Sequence, residues 1–251
     1  MKKLLALMLA LLMVFAFCGC GEEAVEENTE VKVLTMGTNA AFPPYEMVDE
    51  NGAIIGIDAE IAAAIAEKMG MTLEIKDMAF DSLITAVSSG AVDVVLAGMT
   101  VTEERMEAVN FSESYATGIQ VVIVTEGSEI ATIEDLAGKK IGVQTGTTGD
   151  IYCSGDYGEE AIARYDNGAI AVQALQNGQV DCVVIDNEPA KAFVEANEGL
   201  KILETEYITE NYAAAIAKEN TELLEAFNAA LAELQADGTI DAIIGKYIKA
   251  E

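Results

Sequence analysis

The chain has 251 residues, 51% of them hydrophobic, with 43 acidic side chains against 14 basic and a formal charge of −29. That balance argues against nucleic acid and anionic membrane surfaces as partners, since both demand clustered lysine and arginine. There is no histidine, so the commonest general base and metal ligand is missing.

Residues 1–19 open with a basic Met1-Lys2-Lys3, continue as the apolar run "LLALMLALLMVFAF" and close on Cys18-Gly19, the plan of a signal peptide. The run is short for a bilayer span. Glycines flank Cys20, and the stretch resembles the lipobox of bacterial lipoproteins, cut before a cysteine that then receives lipid. Phe17 and Cys18 depart from the usual box, and an ordinary secretory signal or an uncleaved anchor are the alternatives. The resemblance implies a mature chain held to the outer face of the cell membrane through Cys20. Cleavage removes Lys2 and Lys3, so −29 becomes −31. The rest of residues 20–30, with "EEAVEENTE", is acidic and aperiodic and reads as a solvated tether.

Beyond the tether, periods of two and of 3.6 alternate. A strand is predicted over Val31–Thr38, then a helix capped by Asp58 and stopped at Gly70. "TLEIKDM" reads as a strand, Asp81–Gly90 as a short helix and Val92–Gly98 as a buried strand, with Thr102 capping the next helix. Thr132 and Asp135 form a capping box, "GKKIGVQ" reads as a strand and "GTTGD" leads into a helix. There follow a helix "AIAVQALQNG", a strand "VDCVVID", a helix "EPAKAFVEA" and strands "LKILE" and "YAAAIA". Two helices, from about Thr221 and Thr239, end the chain. Strands alternating with helices imply parallel sheets covered on both faces. Only Cys153 and Cys182 lie beyond the signal, and one disulfide or two buried thiols fit them equally.

Two stretches share the pattern G-x-V-D-x-V, at Gly90–Val95 and Gly178–Val183. Eight residues after each glycine come Gly98 and Asp186, at the carboxyl end of a buried strand, where open α/β sheets bind ligands. Two similar βα units with no such role are the plainer reading of the echo alone. In "AGMTVTEER" a glycine, Gly98, permits close approach to the main chain, Thr100 offers a hydroxyl, and a helix start offers unpaired N–H groups. Arg105 adds a planar fork that fits a carboxylate. Its competing role is a surface pair with Glu103 or Glu104. Asp186 suits an ammonium group, and its competing role is the N-cap of the helix that follows. One site for each charge describes an α-amino acid.

At this point the chain resembles the extracellular amino-acid-binding proteins of ATP-binding-cassette importers, solute-binding family 3. The resemblance rests on "GTNAAFPPYE" (37–46), "GIDAEIAAAIA" (56–66), "AGMTVTEER" (97–105), "VNFSESY" (109–115), "GVQTGTTG" (142–149) and "VDCVVIDNEPA" (180–190). It implies an α/β, two-lobed periplasmic-binding-protein fold: lobe 1 over 31–118 plus 213–251, lobe 2 over 119–212, and two hinge strands between mostly parallel sheets. It implies that Ala97, Gly98, Met99, Thr100 and Arg105 receive the α-carboxylate and Asp186 the α-ammonium. Thr147 and Thr148 would lie across the cleft, Phe42 and Phe80 would sandwich the ligand's aliphatic part, and Asn39 and Gln144 would read its side chain. Core packing beside Pro43 and Pro44 is the other role open to Phe42, and turn chemistry the other role open to Thr147 and Thr148.

The partners implied are a free amino acid, a membrane permease and a lipid anchor, with the protein itself a monomer. No cofactor is implied, and no run of acids offers an all-oxygen metal site. No G-x-S-x-G elbow or phosphate loop supports an enzyme, though the same fold hosts a few periplasmic dehydratases. A ligand sensor for a membrane receptor is the other alternative. Ligand identity stays open: a neutral Asn39 points to a polar uncharged amino acid such as glutamine, and the net charge points to a cationic one.

Overall fold

The computed structural model describes residues 32–204 and 206–249. The signal peptide, Cys20 and the acidic tether lie outside the described residues. The first part of the chain folds as β1 (Val33–Thr38), β2 (Ala41–Phe42), β3 (Glu46–Val48), β4 (Ile54–Ile55), α1 (Ile57–Lys68), β5 (Thr72–Asp77), α2 (Leu83–Ser88), β6 (Val94–Val95) and α3 (Glu103–Ala108). The middle contains β7 (Val109–Thr125), β8 (Ile141–Gln144), α4 (Thr148–Tyr157), β9 (Ile162–Tyr165), α5 (Gly168–Gln176), β10 (Cys182–Asp186), α6 (Asn187–Ala196) and β11 (Leu200–Ile202). The chain returns through β12 (Ile208–Ala217) and ends with α7 (Thr221–Ala236) and α8 (Thr239–Tyr247).

One sheet carries the architecture, in the order β5-β1-β6-β12-β7-β10-β8-β9, with β11 also on β7. On one side β5, β1 and β6 are parallel; on the other β10, β8 and β9 are parallel. The long antiparallel pair β7 and β12 joins them. Its register slips between Tyr212 and Ala213 and again before Ala215. Along the strands, successive side chains enter different cores, as a period of two requires. Val94 and Leu96 join one apolar cluster while Val95 and Ala97 join another. Val183 and Ile185 belong to the first cluster, and Cys182 and Val184 to a third. The first cluster is shared by both sides of the sheet; α1 feeds it with Ile57, Ile61 and Ile65, spaced one helical turn apart.

The repeated G-x-V-D-x-V has a packing cause. Asp93 accepts hydrogen bonds from the backbone N–H and hydroxyl of Thr35 at 2.8 and 2.6 Å, fastening β6 to β1. Asp181 accepts from the N–H of Lys140 at 2.7 Å, fastening β10 to β8. Each unit thus delivers a strand whose carboxyl end points the same way as its neighbour's.

Three expectations change. Asp58 does not cap α1, whose N-cap is Gly56; it is fully buried, accepting from Gly98 N–H and Tyr115 OH, both at 2.8 Å. The strand expected over Val92–Gly98 pairs only at Val94–Val95. The small sheet β2-β3-β4 and the edge strand β9 were not predicted, because strands of two to four residues carry too little periodicity to read. Cys153 and Cys182 are free thiols buried in one apolar cluster.

Candidate functional site

A cleft opens at the carboxyl ends of β1, β6, β8 and β10. It encloses about 310 Å³ including its mouth, and is lined by Asn39, Phe42, Glu46, Phe80, Ala97, Gly98, Thr100, Arg105, Gln144, Thr147, Thr148 and Asp186. Two parallel strand sets thereby aim their last residues at one space, as the topology of open α/β sheets dictates.

Arg105 sits in the first turn of α3, where Thr102 takes its backbone N–H at 3.1 Å. The side chain is buried and makes no ion pair with Glu103 or Glu104 among the described residues. Its guanidinium donates to Thr100 O at 2.8 Å and to Gly146 O at 3.1 Å, and lies 5.4 Å from the centre of the Phe80 ring. Burial lowers its pKa, and the charge of Glu210 is the largest influence in the other direction. Gly98 has φ +52, and a Cβ there would lie 2.7 Å from the Phe42 ring, so only glycine leaves this wall open.

Across the cleft, Thr147 accepts from Asp150 N–H at 3.3 Å and donates to Gln144 O at 2.9 Å. The turn role that competed with ligand binding for Thr147 is therefore present, although the residue also lines the cleft. Asp150 in turn takes Gly146 N–H at 3.1 Å and Arg164 Nε at 2.9 Å, which fixes the turn before α4. Asp186 stands at the N-cap position of α6 and makes no capping bond. Its carboxyl accepts from Tyr212 OH and, at 2.8 Å, from Gln120 Nε2. Burial pushes it up to about 7; Glu210 adds to the rise, and the bonds from Tyr212 and Gln120 oppose it. A group in that range binds a proton or a cation.

Glu46 is the residue the sequence reading passed over. It is fully buried on β3, and among the described residues no N–H or hydroxyl donor reaches either carboxylate oxygen. Beside it stands the Asp58 carboxyl, with which it can share a proton. Burial first, and then the Asp58 carboxyl, hold it well above the usual carboxylate range. Burial likewise pushes Asp58 up to about 6, against the bonds it accepts from Gly98 and Tyr115. Glu46 closes the motif "GTNAAFPPYE", but in a chain with 43 acids nothing local separates a buried glutamate from a solvated one.

Of the residues expected from sequence to contact the amino acid, all but Met99 line this cleft. Met99 is buried in the apolar cluster with Leu83 and Val109, and only its backbone O is engaged, by Ala213 N–H at 3.1 Å. Thr100 departs in detail: its hydroxyl donates to Glu210 at 3.1 Å. Asn39 and Gln144 bond to one another, Gln144 Nε2 to Asn39 Oδ1 at 2.9 Å. Phe42 both joins the core and lines the cleft.

Residues 34–250 match the profile of the bacterial extracellular solute-binding proteins, family 3. The arginine-binding extracellular protein ArtP of Bacillus subtilis is 34% identical over 260 residues, covering 100% of both chains. Among solved structures, the arginine-, lysine-, histidine-binding protein ArtJ of Geobacillus stearothermophilus superposes with a TM-score of 0.83 at 32% identity, covering 88% of this chain and 96% of that one. An ancestral arginine-binding protein bound to glutamine gives 0.82 at 44% identity, covering 87% and 98%.

Proposed function

The chain belongs to the bacterial extracellular solute-binding proteins of family 3, and from that premise we propose that it captures an L-amino acid with a cationic side chain, arginine foremost, and delivers it to the permease of an ATP-binding-cassette importer. The observation that carries the cationic part is Glu46, a buried carboxyl on the cleft wall that meets no N–H or hydroxyl donor among the described residues and has the like-charged Asp58 carboxyl beside it. A buried carboxylate without a partner is costly, so it keeps a proton or takes a cation. The argument for an uncharged ligand rested on a neutral Asn39, and Glu46 supplies the carboxylate that argument lacked.

In this reading Arg105 holds the α-carboxylate, Asp186 the α-ammonium, and Phe42 and Phe80 the aliphatic stem. Thr148, at the start of a helix, adds backbone N–H groups to the carboxylate. The lobes are 31–118 plus 213–251 and 119–212, and their boundaries cut β7 and β12 next to the register slip at Tyr212 and Ala213. Closure brings the lobes together through Arg105 on Gly146 O and Gln144 on Asn39. It also desolvates every charge of the ligand, which is tolerable only where each charge meets a partner. A micromolar dissociation constant corresponds to about 8 kcal/mol, within reach of two charge-assisted contacts and an aromatic sandwich. The protein works as a monomer tethered to the membrane's outer face through lipid at Cys20.

A thermal-shift screen of the twenty amino acids, followed by calorimetry, tests the reading. Ligand at 100 times its dissociation constant adds about 2.7 kcal/mol to stability. Arginine should give the largest shift, and a shrinking radius of gyration on saturation should accompany it. A protein that answers to glutamine and ignores arginine, lysine and histidine would overturn the role given to Glu46.

A further inference from the structure

One buried carboxylate near the cleft has no part in this account. Glu210 is 4% exposed, lies on β12 opposite Gly118 of β7, and is not among the residues lining the cleft. Its Oε2 accepts from three side chains on three separate segments. Thr100 Oγ1 donates at 3.1 Å from beyond β6, Thr148 Oγ1 at 2.9 Å from the first turn of α4, and Gln120 Nε2 at 2.9 Å from β7. Gln120 also donates to Asp186 and so stands between the two carboxylates.

A hydroxyl has one proton to give. Thr100 and Thr148 both line the cleft, from opposite walls, and both direct that proton backward to Glu210. What they present to a ligand is therefore lone pairs, one of Thr148's being already engaged by Gln120 Nε2 at 3.4 Å; these accept from an ammonium and cannot donate to a carboxylate. The α-carboxylate is left to Arg105 and to backbone N–H groups. Glu210 is also the foremost charge opposing the loss of the Arg105 proton, so it offsets a buried cation from behind.

We infer that Glu210 is a positioning residue of the amino-acid site: it sets the Thr100 and Thr148 hydroxyls as acceptors for the α-ammonium and ties the two walls through the joining strand. The inference rests on the reading of the cleft as an α-amino-acid site, and it makes that site selective for the ammonium group as well as for the carboxylate. Without Glu210 both hydroxyls are free to turn and donate to the carboxylate. An amino acid then loses part of its advantage over the same molecule without its amine.

The test compares L-arginine with its deaminated analogue, 5-guanidinopentanoate, by calorimetry in wild type, Glu210→Gln and Glu210→Ala. The ratio of the two affinities should fall at least tenfold in both variants, chiefly through weaker arginine binding. A merely structural loss would weaken both ligands together, and an unchanged ratio overturns the inference. A second measurement needs no ligand. Melting temperatures of Glu210→Gln, Thr148→Val and the double variant should be less than additive, because the two side chains share one contact; additive shifts also overturn it. If wild type binds neither compound nor any other amino acid, the functional reading fails, while the melting cycle still reports whether Glu210 holds the hydroxyl.

Discussion

Replacing Glu46 by glutamine probes the proposed specificity most directly. The substitution keeps the side chain's shape and one acceptor oxygen, and removes its charge. Glu46 is fully buried, so a guanidinium or ammonium against it would be unscreened by water. Removing one partner of a buried charge pair costs about 2–5 kcal/mol. The amide oxygen retains a neutral hydrogen bond of about 1 kcal/mol, leaving a loss of roughly 1–4 kcal/mol for a cationic ligand. The ligand-free protein adds a term of opposite sign. Burial and Asp58 keep a proton on Glu46 above the usual carboxylate range, and a cationic side chain must expel it. That expulsion costs about 1.36 kcal/mol for each pH unit below the group's pKa, and glutamine at position 46 is spared it. The arginine penalty of Glu46→Gln should therefore be smaller at pH 6 than at pH 8, and at high pH should approach the full loss of roughly 1–4 kcal/mol. Binding of L-glutamine should change less than about threefold at either pH. Titration calorimetry in two buffers of different ionisation enthalpy reads both the affinity and the proton released, and the proton count should drop in the variant. Arginine affinity within threefold of wild type at pH 8, with an unchanged proton count, would refute the reasoning.

Arg105→Ala should weaken any α-amino acid by about 2–5 kcal/mol, or about 30-fold to several-thousand-fold, and should cost a carboxyl-amidated ligand little more than it has already lost; calorimetry with both ligands checks this. Asp186 is an acid whose folded pKa, about 7, lies above its ordinary 3.8, so its contribution to stability is full below 3.8 and is lost as pH rises toward 7. Ligand-free Asp186→Asn should accordingly melt higher than wild type at pH 8, by at least about 1 kcal/mol or roughly 2–4 °C, and show no gain near pH 4. A gain at pH 4 that disappears at pH 8 would reverse the sign and sink the argument. Cys20→Ala should leave the precursor unprocessed or release the protein from the membrane fraction, since stable anchoring takes more than one acyl chain; fractionation with unchanged attachment would count against the anchor.

Local pattern carried most of the fold. Helix starts at Thr102, Thr147 and Thr221, and the capping box of Thr132 and Asp135, are short-range chemistry, and they stand where they were expected. So do the strands at β1, β5, β8 and β10: the apolar runs of β8 and β10 are buried on both faces, and β5, at the sheet edge, reads by its alternation. The cleft lining was legible where a residue follows such a strand or opens such a helix, as with Gly98, Arg105, Thr148 and Asp186. These positions are fixed by the one-dimensional order of elements.

Partnership across the chain was decided only by the tertiary structure. Glu46 became a ligand candidate because folding buries it beside Asp58, and Glu210 a candidate positioning residue because three donors up to 110 residues away converge on it. Asp58, read as a helix cap, turned out to accept from Gly98 and Tyr115. The physical reason is common to all three. A carboxylate's composition and spacing are the same whether water or a protein core surrounds it, and its pKa, its partners and its use depend on that surrounding alone. With 43 acids in the chain, the sequence determined which strand ends face the cleft, and the three-dimensional packing decided which carboxylates are buried beside it.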